Sequence, residues 1–310
     1  MARLQEKGVA LITAMLIVAL ATVAAVSASS KHRFQLRIVE SALHHNLARR
    51  YLRGAEDWAI VILHDDAMNS SDDHHGEAWA QQLPPIPVEG GFVGGRIDEL
   101  QGLFNINNLV SENGTPVPEQ VQVFRRLLSG LKLDPDIANA AIDWLDSNYD
   151  TTPSGGAEDS NYLGVDPPYR TANQAMASQT EVRLLRGVDA EVYATLTPFV
   201  TALPLGTQLN INTAPQAVIR SITDGLSGQQ AKSLVDERDR RGGFDSVDEF
   251  LKHDLFAGKE VEPSLLGVRS HYFVVSANAG VGSSEASQRS LIARLPGQEI
   301  TVMTRSSGQL

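Results

Sequence analysis

The chain has 310 residues, enough for one large domain or two ordinary ones, and 42% of them are hydrophobic, which supports a folded core rather than disorder. It contains no cysteine, which excludes a disulfide framework, a thiolate zinc site and a cysteine nucleophile together. With 26 Lys and Arg against 37 Asp and Glu, the formal charge of −11 repels phosphate backbones and makes a divalent cation a better partner than nucleic acid.

From Gly8 to Ser30 the chain carries no charged residue, and Val9 to Ala28 alone is 20 residues. An α-helix needs roughly 20 apolar residues to cross about 30 Å of hydrocarbon. A buried soluble helix this long with no polar stripe is uncommon, so the segment is read as meeting a membrane. Two kinds of processing fit. A secretory signal would be cut near Val26-Ser27-Ala28. Alternatively, the short charged leader MARLQEKG, with Arg3, Glu6 and Lys7, ends at Gly8 and the apolar helix behind it is kept. The sequence after Ser30 favours retention. Phe34, Ile38, Ala42, Leu47, Tyr51, Ala55, Trp58 and Ile62 recur in steps of mostly four, which predicts one continuous helix stripe. No proline interrupts Val9 to Leu63, and Gly54 is the only breaker. At about 1.5 Å per residue this is a helix of roughly 80 Å, half in lipid and half amphipathic.

The leader ending at Gly8, the retained helix and its amphipathic second half resemble a type IV pilin or a type II secretion pseudopilin. In most of that family the fifth residue after the cleavage point is a glutamate that pairs with a neighbour's amino terminus. Here the position holds Thr13. The departure matches the family's regular exception, the minor pseudopilin K family, whose members cap the tip and have nothing above them. The resemblance implies cleavage by prepilin peptidase after Gly8, N-methylation of Val9, and single-pass insertion in the inner membrane with the bulk of the chain in the periplasm. It also implies assembly with other minor pseudopilins, on an inner-membrane assembly platform, into the tip complex of a periplasmic pseudopilus.

Past the helix, His64 to Glu89 is polar and holds Pro84, Pro85 and Pro87, which predicts a loop. The stretch GGFVGGRIDELQGLFNINNL alternates like strand material with glycine bends. That texture returns only at the end, in SHYFVVSANAG, RSLIARLPG and ITVMTRSSG, with GVGSSEASQ as a hairpin loop. The sequence between reads as helices. The predicted fold is therefore α+β: a pilin-like long N-terminal helix on an antiparallel sheet, with a large all-α domain inserted. The boundaries are 1–8 for the leader, 9–30 for the transmembrane part, 31–107 for the amphipathic helix and first strands, 108–269 for the insertion and 270–310 for the closing strands. Two domains in series would leave the sheet short of strands on either side.

The insertion looks duplicated. Asn105-Ile106-Asn107 and Asn210-Ile211-Asn212 each open a helical stretch, and ANAAIDWLD (Ala138 to Asp146) lines up with AKSLVDERD (Ala231 to Asp239). Each copy reads as a helix-hairpin-helix. In the DNA-binding form of that motif, two glycines let hairpin amides approach a phosphate. Gly228 fits the second, but Leu226 stands at the first, and Asp236, Glu237 and Asp239 follow. A protein-binding face is the simpler reading.

In DWLDSNYDTTPSGGAEDSNYLGVDPPYR, Asp146, Asn148 and Asp150 take the alternate positions that open a calcium loop of hard oxygen ligands. The rest departs from an EF-hand: Thr151 replaces the sixth-position glycine, and Ala157 stands where the closing carboxylate belongs, with Glu158 and Asp159 next. The K family's inserted domain carries calcium near a similar GAED stretch, and this likeness implies a site at Asp146, Asp150, Glu158 and Asp159, with Asp166 and Asn173 available to a second ion. Calcium would relieve the carboxylate repulsion and order the turn from Thr151 to Gly156. The pairs His44-His45 and His74-His75 read as surface residues, because sequence neighbours do not share a helix face. No GxSxG, HExxH or P-loop occurs, so there is no catalytic constellation. The function read from the sequence is structural. A membrane-anchored DNA-binding or DNA-uptake protein is the alternative, and a secreted hydrolase a third.

Overall fold

The computed structural model of the chain describes residues 2–82 and 84–307, with side-chain surroundings from residue 9 onward. Its first element, α1, runs from Ala2 to Asn69, 68 residues without a break. Gly54 costs a helix about 1 kcal/mol, too little to interrupt so long a run. The helix also continues past Leu63 into the predicted loop. It stops where Asn69 Nδ2 donates to the Asp65 carbonyl at 2.8 Å, a side chain competing for the last turn.

The buried stripe of α1 is displaced from the predicted one. Ala48, Leu52, Glu56, Ala59 and Leu63 are buried. Leu47, Tyr51, Ala55 and Ile62 flank them half-buried, while Ala42 is exposed. Phe34, Ile38 and Trp58 are exposed too, at 65%, 53% and 46%. Two alanines let the helix lie close on the sheet, and Glu56 is admitted because the sheet supplies it with donors.

The predicted loop after α1 is only partly a loop. A 3-10 turn at Ala78–Ala80 buries Trp79, which meets Phe273 edge-on at 5.4 Å. Then come β1 (Ile86–Val88) and β2 (Gly91–Glu99). Pro87 is tolerated in β1 because that strand is an edge.

Beyond β2 the chain leaves the sheet. One lobe holds β3 (Phe104–Asn105), α2 (Pro118–Gly130), α3 (Ile137–Leu145), α4 (Asp159–Tyr162), α5 (Ala190–Leu196) and β4 (Val200–Thr201). A second holds β5 (Leu209–Asn210), α6 (Gln216–Ser221), α7 (Gly228–Arg241), α8 (Val247–Leu251) and β6 (Leu266–Gly267). The predicted all-α insertion thus contains two short parallel strand pairs, β3 with β4 and β5 with β6. Each joins the start of a lobe to its end, where buried backbone groups need partners. One hydrophobic core runs through both lobes, from Phe104 stacked on Phe124 at 5.0 Å to Phe244, Phe250 and Phe256.

The chain re-enters the sheet with β7 (Tyr272–Val281), β8 (Ser284–Ala293) and β9 (Thr301–Ser307). The sheet is antiparallel throughout, in the order β1-β2-β7-β8-β9. Because β2 pairs with β7 from Gly91↔Val281 to Glu99↔Phe273, the insertion leaves and returns at neighbouring points. The stretch predicted as a hairpin loop is mostly strand. Only Gly282 and Ser283 turn, with Gly282 at φ +55 in the first turn position as a type II′ turn requires. Phe273, Val275, Ala277, Ala279 and Val281 alternate toward α1 and form two apolar clusters with its buried stripe.

Candidate functional site

Every residue of α3 is buried, including Asp143, and Asp146 caps its C-terminus. Thr152 N donates to both Asp143 oxygens, at 3.1 and 3.0 Å, which folds the following segment back onto the helix. Asn139 Nδ2 donates to the carbonyls of Pro153 at 3.0 Å and Ser154 at 2.7 Å. A Cβ on Gly156 would run into Asp143 Oδ2 and the Thr152 carbonyl, so glycine is required there. Asp143 and Asn139 therefore hold the turn from Thr151 to Gly156 against α3.

Around this turn the structure gathers Asp143, Asp146 and Glu158. Burial pushes the Asp146 carboxyl up, and repulsion from Asp143 and Asp150 adds to it. Burial likewise raises Glu158, with Asp143 and Asp146 contributing. Asp150 is exposed at the rim, its N–H donating to Asn148 Oδ1 at 2.6 Å. Glu158 Oε2 accepts from Thr171 Oγ1 at 3.0 Å, but its buried Oε1 has no partner among the described residues, and neither has the buried Asn173 Oδ1. Asp159 is turned elsewhere: Arg170 pairs with it at 3.2 Å, and Thr171 donates to it from N and Oγ1. Asp166 is exposed. Glu158 Oε1 and Asn173 Oδ1 are therefore two buried oxygens whose hydrogen-bonding capacity is unmet among the described residues, near carboxylates that burial makes harder to ionise. Sequence reasoning missed Asp143. Its signal was available, since ANAAIDWL puts one carboxylate on a helix that is otherwise almost wholly apolar.

A second carboxylate group joins the end of α1 to the chain beyond it. Ligand oxygens of Asp66, Asp73 and Glu77 lie within 4.8 Å of one another. Arg294 from β8's end already serves two of them, reaching Asp66 at 2.7 Å and contacting Asp73, while Glu77 accepts from Trp79 Nε1 at 2.8 Å. This is an internal ion-pair cluster. Burial pushes Asp66 up to about 6 despite Arg294.

The α6–α7 hairpin turns at Gly225, φ +66, and Leu226 is buried in the core. Gly228 has room for a side chain, whose Cβ would meet only Gln216 Nε2 at 3.8 Å, so no close approach requires glycine there. Along α7, Lys232 pairs with Asp236, Arg238 with Asp239, and Arg241 with Glu237 and Glu249. A basic face for phosphate is not formed. Of the histidines, His45 and His75 are exposed, whereas His44 and His74 are half-buried.

Gly8 lies in α1 but outside the residues whose side-chain surroundings are described. Val9 is 65% exposed, and Thr13 Oγ1 donates to the Val9 carbonyl at 2.8 Å, so the hydroxyl is spent within its own helix. The helix from Val9 to Asn69 contains a window of mean hydropathy 2.7, none of it buried in the chain's own fold. Lower down, Tyr51, Trp58, Trp79, Ile86, Val93 and Ile97 line an apolar groove of about 230 Å³ between α1 and the β1–β2 edge.

An N-terminal helix that is apolar and uncovered in its first half, and laid across an antiparallel sheet in its second, defines a pilin-like subunit. Family models described as type II secretion system (T2SS), protein K, match residues 102–205 and 209–269, the two lobes in turn. The chain is 34% identical to the type II secretion system protein K of Pseudomonas aeruginosa, covering 98% of this chain and 93% of that protein. It is 36% identical to the protein of that name from Pectobacterium carotovorum, covering 99% and 98%. A chain in the crystal structure of the GspK–GspI–GspJ complex of the enterotoxigenic Escherichia coli type 2 secretion system superposes with a TM-score of 0.73 at 28% identity, covering 88% of this chain and 99% of that one. The chain belongs to the type II secretion system protein K family.

Proposed function

We propose that this chain is a structural, non-enzymatic minor pseudopilin of a type II secretion system, forming with other minor pseudopilins the tip complex that initiates and caps the periplasmic pseudopilus. The single observation that carries this reading is the division of α1: its second half is buried on its own sheet, and its first half has no cover among the described residues. A helix so divided is stored in a bilayer and later packed against other helices. Residues 9–30 cross the inner membrane, 31–107 and 270–310 build the periplasmic pilin body, and 108–269 form its inserted domain. The groove beside Trp58 receives a helix of a neighbouring minor pseudopilin, in keeping with a solved relative bound to GspI and GspJ. The test is co-expression of a form lacking the first 30 or so residues with two other minor pseudopilins. It should co-purify with them at 1:1 stoichiometry, and failure with both would reject tip-complex membership.

Processing belongs to the same reading. Prepilin peptidase would cut after Gly8 and methylate Val9, and the assembly platform would then extract the subunit. Mass spectrometry should find a mature chain starting at N-methylated Val9, and Gly8→Val should block cleavage by placing a side chain at the scissile position. A mature chain starting at Ser29 would restore the secretory signal.

Calcium is the cation assigned to the acidic site. Asp146, Glu158 and the rim carboxylate Asp150 would hold it, joined by Asp143 and Asn173. Asp159, engaged by Arg170, orients Thr171 instead. The unpartnered Glu158 Oε1 and Asn173 Oδ1 support this assignment. Calcium would supply charge neutralisation only, a structural role.

A further inference from the structure

Immediately after the apolar run, α1 changes character. Between Lys31 and Arg53 it carries six cations, Lys31, Arg33, Arg37, Arg49, Arg50 and Arg53, against the single carboxylate Glu40, in a chain whose net charge is −11. All six are exposed, and none forms an ion pair among the described residues. The three nearest the apolar run are set apart by their position. At 100° per residue, Lys31, Arg33 and Arg37 point about 0°, 200° and 240° around the axis, with His32 near 100° between them. Arg33 and Arg37 share one face, about 40° apart, and Lys31 lies roughly 120–160° from them, so the charge stands on two sides of the helix rather than along one stripe. A protein partner needs one face, whereas lipid headgroups surround a helix on every side.

The depth agrees. Six residues of rise take Lys31 to Arg37 across about 9 Å. The headgroup zone beyond the hydrocarbon is roughly 5–8 Å deep on each side, and flexible basic side chains reach back toward it. Exposed Phe34, Leu36 and Ile38 are interleaved with the cations, the mixture that suits a boundary between acyl chain and phosphate. The charges also run against the usual bias, since Arg3 and Lys7 are the only cations on the other side of the span. Orientation therefore does not explain them.

We propose that Lys31, Arg33 and Arg37 form a binding collar for the phosphates of anionic phospholipids, in the leaflet facing the folded domain. It fixes the depth at which the subunit waits in the bilayer, and it is released when the helix is extracted. The inference rests on reading Gly8–Ser30 as a membrane-crossing segment but not on tip assembly.

The absence of cysteine allows a single label. Full-length chain carrying Ser30→Cys, labelled with a donor fluorophore, would be reconstituted in phosphatidylcholine vesicles doped with phosphatidylglycerol. Energy transfer to acceptor-labelled phosphatidylglycerol would be compared with transfer to acceptor-labelled phosphatidylcholine. We expect local enrichment of the anionic lipid by at least about fivefold, the worth of one cation near a charged surface, and its loss in high salt. Lys31→Gln/Arg33→Gln/Arg37→Gln should abolish the preference, while Arg49→Gln/Arg50→Gln/Arg53→Gln should keep it. Equal transfer in the parent chain, or a preference surviving the first triple variant, overturns the proposal and returns the collar to an acidic protein partner. Carbonate extraction separates the two failures: a chain that does not insert rejects the membrane-spanning reading itself.

Discussion

Asn107 Oδ1 accepts the Met176 N–H at 2.8 Å, and its Nδ2 donates to the Met176 carbonyl at 3.0 Å; Asn212 does the same to Phe244 at the same two distances. Each imitates one rung of a β-ladder with a side chain. Each is also held by the asparagine two residues before it, whose Oδ1 accepts the N–H of Asn107 at 3.2 Å or of Asn212 at 2.8 Å. All four asparagines are buried, so their amides work in a medium where an unmade hydrogen bond is costly. The repeated Asn-Ile-Asn was legible in the sequence as a duplication. Its role was not, because an asparagine does not name its partner, and Met176 and Phe244 are distant in the chain. Asn212→Ala strands a buried donor and a buried acceptor, and should lower unfolding stability by about 3 kcal/mol, taking each orphan at roughly 1–3 kcal/mol. Hydrogen exchange checks it locally: the Phe244 amide should lose protection in Asn212→Ala while Met176 keeps it, and Asn107→Ala should show the reverse.

Along α1, its existence, length and apolar first half were legible because an uncharged run and a proline-free helical pattern are local properties. The face it buries was not. Steps of four fit two adjacent stripes about equally well, and the true one passes through Glu56, which a hydrophobicity count rejects. Burial pushes the Glu56 carboxyl up, but bonds from Arg305 and Ser290 outweigh it and hold the group below the usual carboxylate range. Those partners are on β9 and β8, visible only after folding. Gly54 offers a test of what the exposed side of the helix is for. An added Cβ there meets nothing within 4 Å, yet the residue lines the apolar groove with Tyr51 and Trp58. Gly54→Ala should raise the melting temperature of the isolated chain, since alanine is favoured over glycine in a helix by about 1 kcal/mol. Gly54→Phe should leave the isolated chain folded but fill the groove, and so lose the minor-pseudopilin partners on co-purification. Retention of both partners by Gly54→Phe would place the docking face elsewhere on α1.

At the scale of the molecule, the nested arrangement was legible because strand-like sequence stands on both sides of the helical stretch and neither side makes a sheet alone. The polar neck between body and insertion was not. There Glu99 accepts from Ser270 Oγ at 2.7 Å, and Gln101 Oε1 accepts the His271 N–H at 2.5 Å, both pairings of residues distant in sequence. Neck and acidic site together bury carboxyls that ionise with difficulty: burial raises Asp72, Glu99, Asp146 and Glu158, and Asp66 from 3.8 to about 6. A carboxyl raised by folding binds its proton more tightly in the folded state, so between its unfolded and folded values stability falls as pH rises. Burial lowers His75 and His271, which act the other way over the same range. The carboxyl contribution is therefore read by difference: from pH 5 to pH 7 in chelator the detergent-solubilised parent should lose more stability, or gain less, than Asp146→Asn with Glu158→Gln, with the change for Asp66 falling between 3.8 and about 6. Glu56, shifted the other way, removes stability only at lower pH still. Calcium should reverse the trend, because it needs Asp146 and Glu158 deprotonated and competes with their protons. Saturation at about 100 times its dissociation constant adds roughly 2.7 kcal/mol at pH 7, and the increment should shrink toward pH 5. Magnesium, with its octahedral demand and reluctant dehydration, should give much less. Asp146→Asn with Glu158→Gln removes the repulsion and two charged ligands together, so this variant should melt higher than the parent in chelator at pH 7 and gain much less from calcium. Identical melting of the parent in calcium and in chelator at pH 7 would leave the unpartnered Glu158 and Asn173 oxygens without a cation.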